Sequence, residues 1–177
     1  MSDPGGGATG DGDGWASTNP RIAGLGAYAP RLRIEASEFE DAWGRFEAAG
    51  VDRTAVPEAD EDALTMAAEA ATRALSAADH AGESLSYLAF ATTTPPMAEE
   101  DLTPRLANVL GAPSAVTTRT FTGSTRAGVQ ALDAALAEGP WSPVDGGEDH
   151  EPGAGVGLVI ASDCPRGVPD SEMEHAA

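Results

Sequence analysis

Apolar positions along the chain fall into two kinds of pattern, and their alternation predicts the elements. Leu85-Ser86-Tyr87-Leu88-Ala89-Phe90-Ala91-Thr92 is short and almost continuously apolar. That is the composition of a strand buried on both faces of a sheet. Gly155 to Ser162 (Gly-Val-Gly-Leu-Val-Ile-Ala-Ser) reads the same way, and Ser114 to Phe121 adds a strand rich in β-branched residues. Ile22-Ala23-Gly24-Leu25-Gly26-Ala27-Tyr28, stopped by Pro30, is a fourth candidate at the start.

Between them the spacing becomes helical. Phe39, Ala42, Trp43 and Phe46 follow the i, i+3, i+4, i+7 template, with Ser37 and Glu40 as a capping box. A longer helix begins at Asp60 or Asp62 and carries Leu64, Ala67, Ala68, Ala71, Leu75 and Ala78 on one stripe. So much alanine implies close packing against a sheet or another helix. Glu69 and Arg73 form an i, i+4 pair on its outer side. Thr103 and Pro104 open a third helix, with Leu106 and Leu110 inward and Gly111 as its stop. A Gly123-Ser124-Thr125 turn leads into a fourth, which carries Ala127, Val129, Leu132 and Leu136. The order β-α-α-β-α-β-α-β predicts an α/β domain, a mostly parallel sheet with helices on both faces.

Composition narrows this picture. Residues 1–19 hold six Gly, three Asp and little that is apolar besides Trp15, so they are expected to form a disordered tail ahead of a domain over 20–177. The 139–153 stretch, rich in Gly, Pro and acid, is a loop. Across the whole chain 29 Asp and Glu oppose 10 Arg, Lys is absent, and the net charge is -19. Self-repulsion of this size works against compaction and is relieved at high salt. The expectation is a high-salt cytoplasm of the kind halophiles keep; an acidic mesophilic protein from a GC-rich genome is the alternative. Nucleic acid and an anionic membrane surface are excluded as partners, since both need clustered cations. No apolar run approaches a membrane span, no signal peptide opens the chain, and the lone Cys164 permits no internal disulfide. A cytoplasmic protein is expected.

Ligands of such sheets gather outside the carboxyl ends of the strands. Three segments meet that description: Thr92 to Pro96, Thr122 to Arg126, and Asp163 to Gly167. In the middle one a strand turns directly into a helix, whose positive N-terminal end favours anions and activates a thiol. It is where an acyl-accepting nucleophile would be placed.

These segments carry a resemblance. Gly24 to Ile34, Val56 to Asp62 with the alanine-rich helix behind it, Phe121 to Leu132, and Ile160 to Asp163 with Glu172 to Ala177 lie in one register. Together they resemble the N-terminal half of archaeal hydroxymethylglutaryl-CoA synthases, within the thiolase-fold group that includes β-ketoacyl synthase III. The resemblance implies one half of a thiolase-like fold, incomplete at the C-terminus and of haloarchaeal origin. It implies an acyltransferase of the mevalonate pathway that condenses acyl-CoA, with acetyl-CoA or another acyl-CoA as substrate and no bound cofactor or metal. It also implies a homodimer, or a hetero-oligomer with a second thiolase-fold chain.

The departures from that pattern fall on the chemistry. The family's cysteine precedes a stretch matched here by Arg126-Ala127-Gly128, so its position is Thr125. The family's general-acid glutamate lies in a run matched by Ala91-Thr92-Thr93-Thr94, so its position is Thr93. The remaining catalytic His and Asn belong to a second half. A hydroxyl nucleophile at Thr125 or Ser124 needs a base within reach, and none of His80, His150 and His175 neighbours the motif in sequence. Helix capping by Ser124 and Thr125 is the simpler role. Cys164 sits out of register for the nucleophile, with Asp163 expected to raise its pKa. Glu99-Glu100-Asp101 is expected to form a solvated face and helix cap rather than a metal site, and Gly24-Leu25-Gly26 lacks the third glycine of a dinucleotide loop. Three readings stay open: an active condensing enzyme, a catalytically silent acyl-CoA-binding or assembly partner, and a truncated gene product.

Overall fold

A computed structural model describes residues 20–46, 50–139 and 155–165. The tail, most of the 139–153 loop, His150, His175 and the segment Glu172 to Ala177 lie outside the described residues. The elements run β1 (Leu32–Glu35), α1 (Ala36–Trp43), β2 (Arg53–Val56), α2 (Ala63–Ala77), β3 (Leu85–Ala91), α3 (Leu102–Val109), β4 (Thr117–Phe121), α4 (Ala127–Glu138) and β5 (Val156–Ala161). A 3-10 turn, Gly82–Ser84, leads into β3.

The sheet has the order β4-β3-β5 with both pairings parallel. Alternation of side chains along β3 divides its residues between two cores. Leu88 and Phe90 face α2 and α3, meeting Ala63, Ala67 and Ala71 of α2 and Leu102 and Leu106 of α3. Tyr87, Ala89 and Ala91 face α4 and meet Ala127, Ala131 and Ala135. Helices therefore cover both faces, as the apolar pattern predicts.

Several expectations change. On α4 the alanines take the buried stripe, while Val129, Leu132 and Leu136 are 59%, 50% and 49% exposed. An alanine face lets the helix backbone lie closer to the sheet than a leucine face would, so the smaller and less apolar stripe is the one buried here. Ile22 to Tyr28 is not a strand. Residues 20–30 form an extended strap laid across α2. A Cβ on Gly24 would come within 2.7 Å of the Ala74 carbonyl oxygen, and one on Gly26 within 2.3 Å of Ala70 O and Ala74 N. The glycines thus permit a backbone-to-helix approach rather than a ladder. Arg73 fastens the strap, donating Nη1 to Ala27 O at 2.7 Å and lying 5.0 Å from the Tyr28 ring centroid.

The chain's first ladder is instead β1 paired antiparallel with β2, from Leu32↔Val56 to Glu35↔Arg53. Helix α1 is capped by Glu35 and Glu38, not by Ser37 and Glu40. Of the two starts left open, Asp60 and Asp62, it is Asp62 that caps α2, through Thr65 N. Asp101, rather than Thr103, caps α3, which moves Pro104 to the third helical position. Thr103 is fully buried and donates to Arg119 O at 3.0 Å, tying α3 to β4.

Candidate functional site

Parallel pairing brings the carboxyl ends of β3, β4 and β5 to one edge. Thr92 N donates to Phe121 O at 2.9 Å and Ser162 N to Ala91 O at 3.0 Å, so the three strand ends are laced together. Thr92 to Thr94 leaves the central strand, Thr122 to Arg126 one flank, and Ser162 to Cys164 the other.

Around the β5 flank lies a cleft of about 640 Å³. Its walls are the strap from Gly26 to Pro30, the end of β2 with Pro57, Met66 and Ala70 of α2, Thr93 and Thr94, and Ala161 to Pro165. One carboxylate organises it. Asp163 Oδ1 accepts from Thr92 Oγ1 at 3.1 Å, Thr93 N at 2.5 Å, Thr93 Oγ1 at 3.0 Å and, more weakly, Thr94 Oγ1 at 3.4 Å. Desolvation pushes the Asp163 carboxyl up, but the Thr93 amide and hydroxyl, with Thr92 and Thr94, outweigh it and hold the group below its usual range. Oδ2 carries no hydrogen bond to the described residues.

A second acidic group stands at the strap. The Tyr28 hydroxyl donates to the Glu61 carboxylate, which also accepts from Glu58 N at 2.8 Å. The hydrogen bond from Tyr28, helped by that from Glu58, lowers the Glu61 carboxyl, and the same contact raises the Tyr28 phenol.

Of the three sequence-predicted residues, only Thr93 reaches the cleft. Ser124 and Thr125 sit on the opposite flank of β3, and neither lines it. Their expected capping role is also corrected. The N-cap of α4 is Arg126, without a side-chain cap, and Ser124 Oγ accepts from Arg126 N at 3.1 Å in the turn before the helix. Thr125 is exposed at the mouth of that turn. Cys164 is buried against the floor of the cleft, its amide donating to Thr94 Oγ1 at 2.7 Å. His80, exposed, follows α2 and precedes β3, which places it at the far edge of the sheet. Glu100 pairs with Arg105 at 3.4 Å while Asp101 caps α3. Among the described residues no three His, Cys, Asp or Glu side chains converge as metal ligands, and no helix is long and apolar enough to cross a membrane.

Sequence reasoning missed Asp163 as the centre of the cluster. The available signal was its place after a buried strand; its pairing with Thr93 needs the parallel register.

No family model matches the chain. It is similar to the hydroxymethylglutaryl-CoA synthase of Thermococcus onnurineus, 32% identical over 156 residues that make up 88% of this chain and 41% of the relative. The Methanosarcina acetivorans hydroxymethylglutaryl-CoA synthase is 28% identical over 161 residues, 88% of this chain and 43% of that one. The chain thus spans about two-fifths of the length of the curated relatives it matches. Among solved structures it is similar to the priming beta-ketosynthase of a polyketide biosynthetic pathway, with a TM-score of 0.57, 23% identity and coverage of 67% of this chain and 38% of that one. A cysteine-to-serine variant of Xanthomonas campestris OleA, solved with bound lauric acid and lauroyl-CoA, gives a TM-score of 0.58 at 20% identity, over 65% of this chain and 38% of that one. The fold is the thiolase-like α/β fold, matched over part of each neighbour.

Proposed function

We propose that the chain is a hydroxymethylglutaryl-CoA synthase-like protein that binds acyl-CoA but does not form an acyl-enzyme. The observation that carries this reading is the 32% identity over 88% of the chain, taken with threonine at both positions where the family's cysteine and glutamate are expected. Thr125 offers a hydroxyl with no hydrogen-bonded base among the described residues, and Thr93 spends its hydroxyl on Asp163. A threonine alkoxide is much harder to reach than a cysteine thiolate. Loss of the thiol need not abolish ligand binding: the OleA variant without its cysteine was solved with lauroyl-CoA bound.

A second reading, an assembly partner for a thiolase-fold chain, is supported by α4. Its inner stripe is buried alanine, and its outer side exposes Val129, Leu132 and Leu136. These three side chains form an exposed apolar row beside Gln130 and Asp133, the kind of surface a partner of similar character would cover. The acidic composition fits a protein working in concentrated salt, inside a halophilic cell.

Intact-mass measurement after incubation with acetyl-CoA in molar KCl tests the first reading. An unchanged mass together with retained ligand on dialysis is expected. A covalent acetyl adduct, lost on Thr125→Ala or Ser124→Ala, overturns it in favour of an active condensing enzyme.

A further inference from the structure

Cations are scarce in this chain, and several are tied up in ion pairs. Acids outnumber arginines 29 to 10, and Arg31, Arg73, Arg105 and Arg119 each pair with a glutamate. The β1–β2 ribbon is different. In its register Arg33 stands opposite Ala55 and Arg53 opposite Glu35, so the two arginines are diagonal neighbours on one face, within reach of each other's long side chains. Both are exposed, and neither pairs with a carboxylate of the described residues. The Glu35 side chain is engaged elsewhere, accepting from the Glu38 amide in the cap of α1. Arg33 donates Nη1 to Pro30 O and Leu32 O, neutral acceptors that hold the guanidinium without cancelling its charge. Pro30 and Ala55 both line the cleft of about 640 Å³, which puts the charged pair at its rim. Two like charges this close repel, and a chain with a net charge of -19 leaves them without a carboxylate partner.

From this arrangement we infer that Arg33 and Arg53 form an oxyanion site at the cleft rim, which takes the phosphate groups of an acyl-CoA whose thioester end lies in the cleft. The inference rests on the acyl-CoA reading above. A guanidinium presents paired N–H donors that match two oxygens of one phosphate. Two of them side by side on a ribbon can hold neighbouring phosphate oxygens. Ala55, opposite one arginine and two residues from the other, adds no bulk to that face. Backbone carbonyls orient Arg33 in advance, which leaves less ordering to be done on binding. An anionic ligand approaching a chain of net charge -19 meets long-range repulsion, and unpaired cations at the rim offset it where the ligand enters. The pair reads the nucleotide end of the ligand rather than its acyl group. It therefore separates an acyl-CoA from the same acyl group carried on pantetheine alone.

Calorimetric titration of the full chain with acetyl-CoA, acetyl-pantetheine and inorganic pyrophosphate, at about 0.5 M and 2 M KCl, is the test. Wild type is expected to bind acetyl-CoA roughly tenfold more tightly than acetyl-pantetheine, the size of two exposed charge-assisted contacts. The gap should narrow at the higher salt. The double variant Arg33→Gln with Arg53→Gln is expected to melt close to wild type, since both side chains are exposed. It should bind acetyl-CoA about tenfold more weakly and acetyl-pantetheine unchanged. Lysine at both positions, which keeps the charge but not the paired donors, should recover part of the loss. Pyrophosphate separates a phosphate carried by the cleft ligand from a free one: it should bind far more weakly than acetyl-CoA, and equal affinity overturns the link to the cleft. Unchanged acetyl-CoA affinity in the double variant, or equal losses for both thioesters, overturns the inference while leaving the acyl-CoA reading intact. Wild type that binds neither thioester overturns both.

Discussion

Removing the Asp163 side chain tests how the strand ends are held together. Thr92 is 1% exposed, and its hydroxyl donates to Asp163 Oδ1 at 3.1 Å. Asp163→Ala leaves that donor buried with no acceptor, at a cost of about 1–3 kcal/mol. Thr93 and Thr94 border the open cleft, so water replaces their lost bonds and each adds a few tenths of a kcal/mol at most. A total near 2 kcal/mol corresponds to a fall in Tm of about 4–8 °C for a chain of this size. Asp163→Asn keeps the acceptor and should lose less than about 1 kcal/mol. The pH dependence has a definite sign. The folded carboxyl lies below its unfolded value, so its contribution is complete above the unfolded pKa of about 3.9 and disappears as pH falls through the folded value. Thermal melts of wild type, Ala and Asn variants at pH 7 and near pH 3, in the same KCl concentration, give the comparison. An Ala variant melting within about 1 °C of wild type at pH 7 would refute the reasoning, as would a gap to Asn that widens in acid.

Gly26→Ala should lower stability by more than the usual cost of about 1–3 kcal/mol for overpacking, because the new Cβ meets α2 backbone at 2.3 Å; denaturant melts and protease cleavage near residue 26 would show the strap released. Leu132→Gln changes an exposed position and should shift monomer stability by no more than about 0.5 kcal/mol, while weakening any association through α4; sedimentation that is identical for both proteins, with wild type self-associated, would rule that face out. With a net charge of -19, Tm should rise steadily from about 0.1 M to 2 M KCl as repulsion is screened, and a flat series would remove the high-salt expectation.

The main sheet and its helices were largely legible in the chain because burial on two faces leaves a direct trace. The run Leu85 to Ala91 has no polar face, and β3 is indeed covered on both sides. Asp62 likewise marks the start of α2 by local chemistry alone. What periodicity could not supply was the identity of the neighbour. Ile22 to Tyr28 has the apolar content of a strand, but whether Gly24 and Gly26 serve a ladder or a close crossing depends on α2 lying beneath them. On α4 two apolar stripes compete at the same helical period, and the distance to the sheet selects alanine over leucine. β2 is four residues, too short to carry a pattern. At the site, Thr93 was found through the resemblance, while Asp163 emerged only when the parallel register brought residues 70 positions apart within hydrogen-bond distance.

The central claim is an acyl-CoA site that works without an acyl-enzyme, and calorimetric titration of the protein with acetyl-CoA in molar KCl tests it most directly. Saturable binding that persists unchanged in Thr125→Ala is the expected result. Absence of binding across the salt range, or binding that disappears with the Thr125 hydroxyl, would contradict it.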